Sequence, residues 1–192
     1  MTAFLRGVYA IVVLDLKRAW LDRARVLAGL AQPLLYLFVL GQGLGANSRM
    51  SGRGFLPFIF PGVIGLNLLM TSTMAAITIV FDRQIGFFKA VLVAPIPRSA
   101  LALGKILSGA VQAFLQAALL LPFAPAVGIT NPWAVLQLGC VMFFSATVFS
   151  SISVALAARF TSTTVFPIVN NAFVLPMFFL SGALYPLALA PH

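Results

Sequence analysis

Long uncharged runs, separated by short clusters of charge, organise this chain. The first run, Val26–Gly45, holds twenty residues without a charge, enough to cross a hydrocarbon core of about 30 Å. After a polar loop carrying Arg49 and Arg53, a second run extends from Gly54 to Phe81, with its spanning part expected at Phe58–Val80. The third run, Ile106–Ala158, contains 53 uncharged residues. As a single helix it would be roughly 80 Å long, so it must fold back. Pro122, Pro125, Gly128 and the Thr130-Asn131-Pro132 triplet mark the turn. This predicts a third span at Ala100–Ala124 and a fourth at Trp133–Ala158. Ser99 is the expected N-cap of the third, Lys105 is expected to snorkel from its first turns, and Trp133 falls at the opposite interface. A fifth span is predicted at Val165–Leu184, kinked at Pro167 and Pro176.

The first twenty-five residues have another pattern. Leu5, Val8, Tyr9, Val12, Leu16 and Trp20 recur at three- and four-residue spacing, while Asp15, Arg18, Asp22 and Arg25 line another face. The apolar stretch Val8–Leu14 is too short for a cleavable signal and runs straight into Asp15, Lys17 and Arg18. Residues 1–25 therefore read as an amphipathic helix lying on the membrane. The predicted fold is all-α: one transmembrane domain over residues 1–192, with this interfacial helix and five spans.

Composition agrees. Apolar residues make up 61% of the chain and charged residues 8%, too few charges to cover a water-soluble domain of 192 residues. There are 12 Lys and Arg against 3 Asp and Glu, a net +9. Nucleic acid is excluded as a partner because the basic residues sit in the gaps between apolar runs, not on one solvated face. Counted by alternate loops, one side receives Arg6, Lys17, Arg18, Arg23, Arg25, Arg83, Lys89, Arg98, Lys105 and Arg159. The other receives only Arg49 and Arg53. This asymmetry puts the N-terminus in the cytoplasm of a multi-pass protein in the inner (cell) membrane.

The candidate chemistry is sparse. The spans contain no Asp, Glu or His, so no acid–base pair, triad or metal cluster is expected within them. The single cysteine, Cys140, forms no intrachain disulfide, and His192 is the last residue. Gly104-Lys105 lacks the earlier glycine of a phosphate loop and has Ile106 where Ser or Thr is required. An ion-coupled carrier would need ionisable groups within the membrane, so uphill transport would have to draw its free energy from another chain. The polar content of the spans is neutral. Ser108, Gln112 and Gln116 form a stripe on the third span, and Asn67, Ser145, Ser150, Ser153, Asn170 and Asn171 lie in the second, fourth and fifth. These are interhelical hydrogen-bonding groups or, for Asn67, Gln112, Gln116, Asn170 and Asn171, a neutral lining for a translocated solute.

The loop Asp82–Arg98, DRQIGFFKAVLVAPIPR, is the most informative stretch. Ile85, Phe88 and Leu92 share a helical face, Phe87 and Val91 flank it, and Pro95 ends it. Such a face either lies in the membrane interface or docks onto a cytoplasmic partner. Together with LGK (Leu103–Lys105) and LSGALYPLALAP (Leu180–Pro191), the segment FDRQIGFFKAVLVAPIPR (Phe81–Arg98) resembles the permease subunits of ATP-binding-cassette exporters of the polysaccharide and drug-export type. The resemblance covers essentially the whole chain. It implies a pair of permeases in the bilayer, each docked to a separate ATPase that binds the ATP, exporting a hydrophobic or lipid-linked solute. This chain would then hold no cofactor and be no enzyme itself. The implied ATPase-docking residues are Asp82, Arg83, Gly86, Phe87, Phe88, Lys89, Leu92, Pro95 and Arg98. Two features depart from the family: Gln84 stands where Glu is common, and the family has six spans, so the chain is expected to be a fragment lacking the last helix. The alternatives are a membrane scaffold or assembly protein, and an ATP-independent channel.

Overall fold

The computed structural model describes residues 2–45, 56–86, 97–125, 128 and 131–180. Among these, every regular element is helical: α1 (Thr2–Leu21), α2 (Arg23–Gly45), α3 (Leu56–Gln84), α4 (Arg98–Ala118), a 3₁₀ turn (Leu121–Phe123), α5 (Pro132–Ala157) and α6 (Val165–Leu180). The stretches Ile59–Gln84, Arg98–Phe123 and Pro132–Ala157 are long and apolar enough to cross a membrane, and Val26–Val39 is a shorter apolar helix.

The bundle is assembled around α3, which packs against α2, α4, α5 and α6. Ile59, Phe60, Val63, Ile64 and Leu68 of α3 meet Leu37 of α2, Met142 and Ala146 of α5 and an alanine row on α4, Ala110, Ala113 and Ala117. Small side chains on α4 let the helices approach closely, which is how apolar helices associate where lipid competes for their larger side chains. A second cluster closes the other end of α3, where Ile79 and Val80 pack on Ala157 and Phe166. The outer surface is apolar: Phe144 is 72% exposed, and Leu136, Val141, Val148 and Ile168 are also open. In water such a surface would drive aggregation; against lipid tails it is solvated. The protein is membrane-embedded.

Several element boundaries differ from expectation. α4 begins after Pro97 with no side-chain cap, and Ser99 lies inside its first turn. Pro97, with its φ fixed near the helical value, starts the helix in place of a capping hydroxyl. The third span is not one helix to Ala124: α4 stops at Ala118 and Pro122 turns the chain through a 3₁₀ element. Asn131 does act as a cap, its side chain accepting the Trp133 amide at 3.0 Å. Pro167 does not kink the fifth span, because it falls in the first turn of α6, where its missing N–H leaves no helical bond unmade. Pro176 is the proline inside that helix.

Candidate functional site

Asp15, Asp82 and Lys105 come from three helices and meet at the end of the bundle where α3 stops and α4 starts. Lys105 Nζ donates to Asp15 Oδ1 at 3.0 Å and to Asp82 Oδ2 at 3.0 Å. Ser108, one turn along α4, donates to Asp15 Oδ2 at 3.0 Å, and Arg18 of α1 reaches Asp82 Oδ1 at 3.2 Å. All four carboxylate oxygens are thus occupied, and two acids balance two bases. The residues are 6% (Asp15), 3% (Asp82) and 7% (Lys105) exposed.

This overturns two expectations. Lys105 does not snorkel to the surface, and Asp15 does not belong to a solvated face. The buried stripe of α1 is Gly7, Ile11 and Asp15, at four-residue spacing, and it packs on α4. The face read as apolar carries Leu5, Tyr9 and Trp20, which point outward, Trp20 being 79% exposed. A charge is buried only when paired and hydrogen-bonded, and removing one member of such a pair costs about 3–5 kcal/mol. Close approach of α1 makes the pairing possible. A Cβ on Gly104 would stand 2.9 Å from Ile11 Cβ and Cγ2, so glycine beside Lys105 clears the space that brings Asp15 within reach.

The neighbours of Asp82 fix the same corner. Arg83 Nη1 donates to Ala158 O at 3.2 Å, satisfying a carbonyl at the end of α5. Gln84 Nε2 donates to Thr161 O at 2.9 Å. Three consecutive residues therefore tie the end of α3 to α1, α4 and the α5–α6 turn. Gly86, at φ +73°, then ends the element in a conformation that suits glycine.

Of the expected docking residues, Asp82 and Arg83 thus make contacts within the chain, and Arg98 is exposed in the first turn of α4. Phe87, Phe88, Lys89, Leu92 and Pro95, and the segment after Leu180, lie outside the described residues.

Of the five lining candidates, Asn67, Gln112 and Gln116 share one groove of about 310 Å³ between α1, α2, α3 and α4, with Met70, Thr71 and Leu115. Gln116 Oε1 accepts from Thr71 Oγ1 at 3.0 Å, and Asn67 Nδ2 donates to Gly29 O at 3.0 Å. Asn170 lies apart, its Nδ2 donating to Thr73 Oγ1 at 2.7 Å between α6 and α3, with Asn171 beside it. The amide oxygens of Asn67, Asn170 and Asn171 are enclosed without a hydrogen-bond partner among the described residues.

The ion cluster escapes the sequence because the pairs it joins across helices are 23 to 93 residues apart. One signal was present: Lys105 sits beside a row of small residues, Ala100, Gly104 and Ser108, a face that packs against a neighbour.

The end of α3 that gathers these contacts is also the start of the DRQIGFF segment. Residues 6–192 match the family model described as ABC-2 type transporter. The chain belongs to the ABC-2 type transporter family. Nodulation protein J of Rhizobium leguminosarum bv. trifolii is 29% identical over 171 residues, covering 88% of this chain and 65% of that protein. Nodulation protein J of Rhizobium meliloti (strain 1021) is also 29% identical over 171 residues, with 88% and 65% covered. Nodulation protein J of Azorhizobium caulinodans is 28% identical over 166 residues, covering 85% and 65%. The chain therefore spans slightly less than two thirds of the length of these relatives. No solved structure matches it. Within an ABC-2 transporter, the cluster ties an N-terminal helix to both flanks of the loop 82–98.

Proposed function

We propose that the chain is the membrane-spanning permease of an ABC exporter that moves a hydrophobic or lipid-linked solute out of the cytoplasm. ATP is hydrolysed by a separate subunit docked on the loop 82–98 and α1, and the permease works as a pair. The N-terminus and the ion cluster face the cytoplasm of the inner membrane, in keeping with the excess of Lys and Arg on that side. The observation that carries this reading is the family match over residues 6–192. The anchoring of the loop root supports it, because a loop can transmit force only if its ends are held. Asn67, Gln112 and Gln116 offer neutral hydrogen-bonding groups to a solute in the groove of an apolar bundle, whereas Asn170 and Asn171 lie apart from that groove. The family description, ABC-2 type transporter, favours a transport role over a membrane scaffold.

The test replaces Phe87 and Phe88 with Asp in the complex with its ATPase. Insertion and expression should match wild type, while ATP hydrolysis no longer drives transport, falling by about tenfold or more if the aromatic pair is a docking hot spot. Unchanged transport per ATP would remove the loop from the docking surface.

A further inference from the structure

Lys105 is the shared counter-ion of two carboxylates on two other helices, and no second base among the described contacts reaches Asp15. We propose that Lys105 is a positioning residue: it locks α1, the root of the 82–98 loop and the start of α4 into one rigid unit, so that a displacement of the loop moves α1 and α4 together. The coupling part of this inference rests on the exporter reading; the lock itself does not.

The geometry favours a lock over a passive packing contact. One ammonium bridges both acids at equal distance, 3.0 Å to each. Asp82 lies in the last turn of α3, at the start of the 82–98 segment, and Lys105 lies two turns into α4, the helix that begins where that segment ends. Asp15 and Arg18 are one turn apart on α1, so that helix holds the cluster twice, through Lys105 to Asp15 and through Arg18 to Asp82. α1 turns its large side chains Leu5, Tyr9 and Trp20 outward, and its most deeply buried residues are the Gly7, Ile11 and Asp15 stripe. Ile11 supplies close packing on Gly104, which resists compression but not sliding. The charged pair fixes direction as well as distance, and so sets the register of α1 on α4.

The experiment uses the full chain in lipid nanodiscs with Cys140→Ser, and spin labels on cysteines at the exposed positions Ala10 of α1 and Ala102 of α4. Wild type should give one narrow distance distribution. Lys105→Met, which keeps the length and loses the charge, should broaden it by about twofold or more. Lys105→Arg, which keeps the charge, should stay narrow. A Lys105→Met distribution as sharp as wild type overturns the lock, as does a Lys105→Arg chain as broad as Lys105→Met. If Lys105→Met does not fold, Asp15→Asn decides: it keeps the shape and loses one charge of the pair, and it should broaden the distribution, whereas a sharp one overturns the lock. In the complex with the ATPase, a fluorophore at Leu136→Cys should report ATP-dependent movement. Lys105→Met should then keep ATP hydrolysis within about twofold of wild type while the signal per ATP falls about tenfold. A full signal in that variant overturns the coupling role. Absence of any ATP response in wild type refutes the exporter reading instead, and the label distances still decide the lock.

Discussion

Lys105 and its partners show how a side chain that is costly alone becomes tolerable in company. One ammonium, two carboxylates, a guanidinium and a hydroxyl leave no carboxylate oxygen without a donor. Each element of that set should be felt on removal. Ser108→Ala takes the donor from Asp15 Oδ2 and should lower stability by about 1–3 kcal/mol, the range for a buried acceptor left unmade, read as a lower unfolding midpoint in detergent. Gly104→Val should be at least as damaging. Its Cβ would already press on Ile11, and overpacking of this kind costs about 1–3 kcal/mol. Restoration by a matching Ile11→Ala change would separate a steric effect from loss of the glycine itself.

Charge-free runs located the helices well because a bilayer imposes both a length and an apolar exterior. Val26–Gly45, Phe58–Val80 and Trp133–Ala158 each lie within, or one residue past, the observed helix. The ends were less legible. Ser99 has the side chain of a cap but sits after Pro97, which starts the helix by its fixed φ. Pro167 is only two residues past Val165, where both the predicted span and the observed helix begin, so it sits in the first turn, where a proline is tolerated without a kink. The ion cluster was out of reach of any reading that treats one helix at a time, since its acids and its base come from α1, α3 and α4. At this scale Arg83 is an element-level tie. Arg83→Ala should uncap the end of α5 and raise amide hydrogen exchange around residues 156–160, at a cost of about 0.3–1 kcal/mol for a partly exposed helix terminus. Exchange unchanged there would mean that the bond to Ala158 O does not hold the turn.

For the whole molecule, the apolar exterior and the ionic corner divide the labour. The first sets the protein in a membrane, and the second holds together the elements that border the loop 82–98. Its topology is accessible to cysteine labelling. A cysteine at Ser51 should react with an impermeant reagent from outside, and one at Ser162, on the α5–α6 turn beside Gln84, only from inside; the reverse pattern would invert the orientation. The central claim is that a permease without an engine of its own works through a separate ATPase. Native mass spectrometry of the full-length protein purified in mild detergent from its own membranes tests this most directly. The expected result is a complex with a nucleotide-binding subunit in equal numbers. The contradicting result is a protein that carries no such subunit and, reconstituted alone in liposomes, still moves solute.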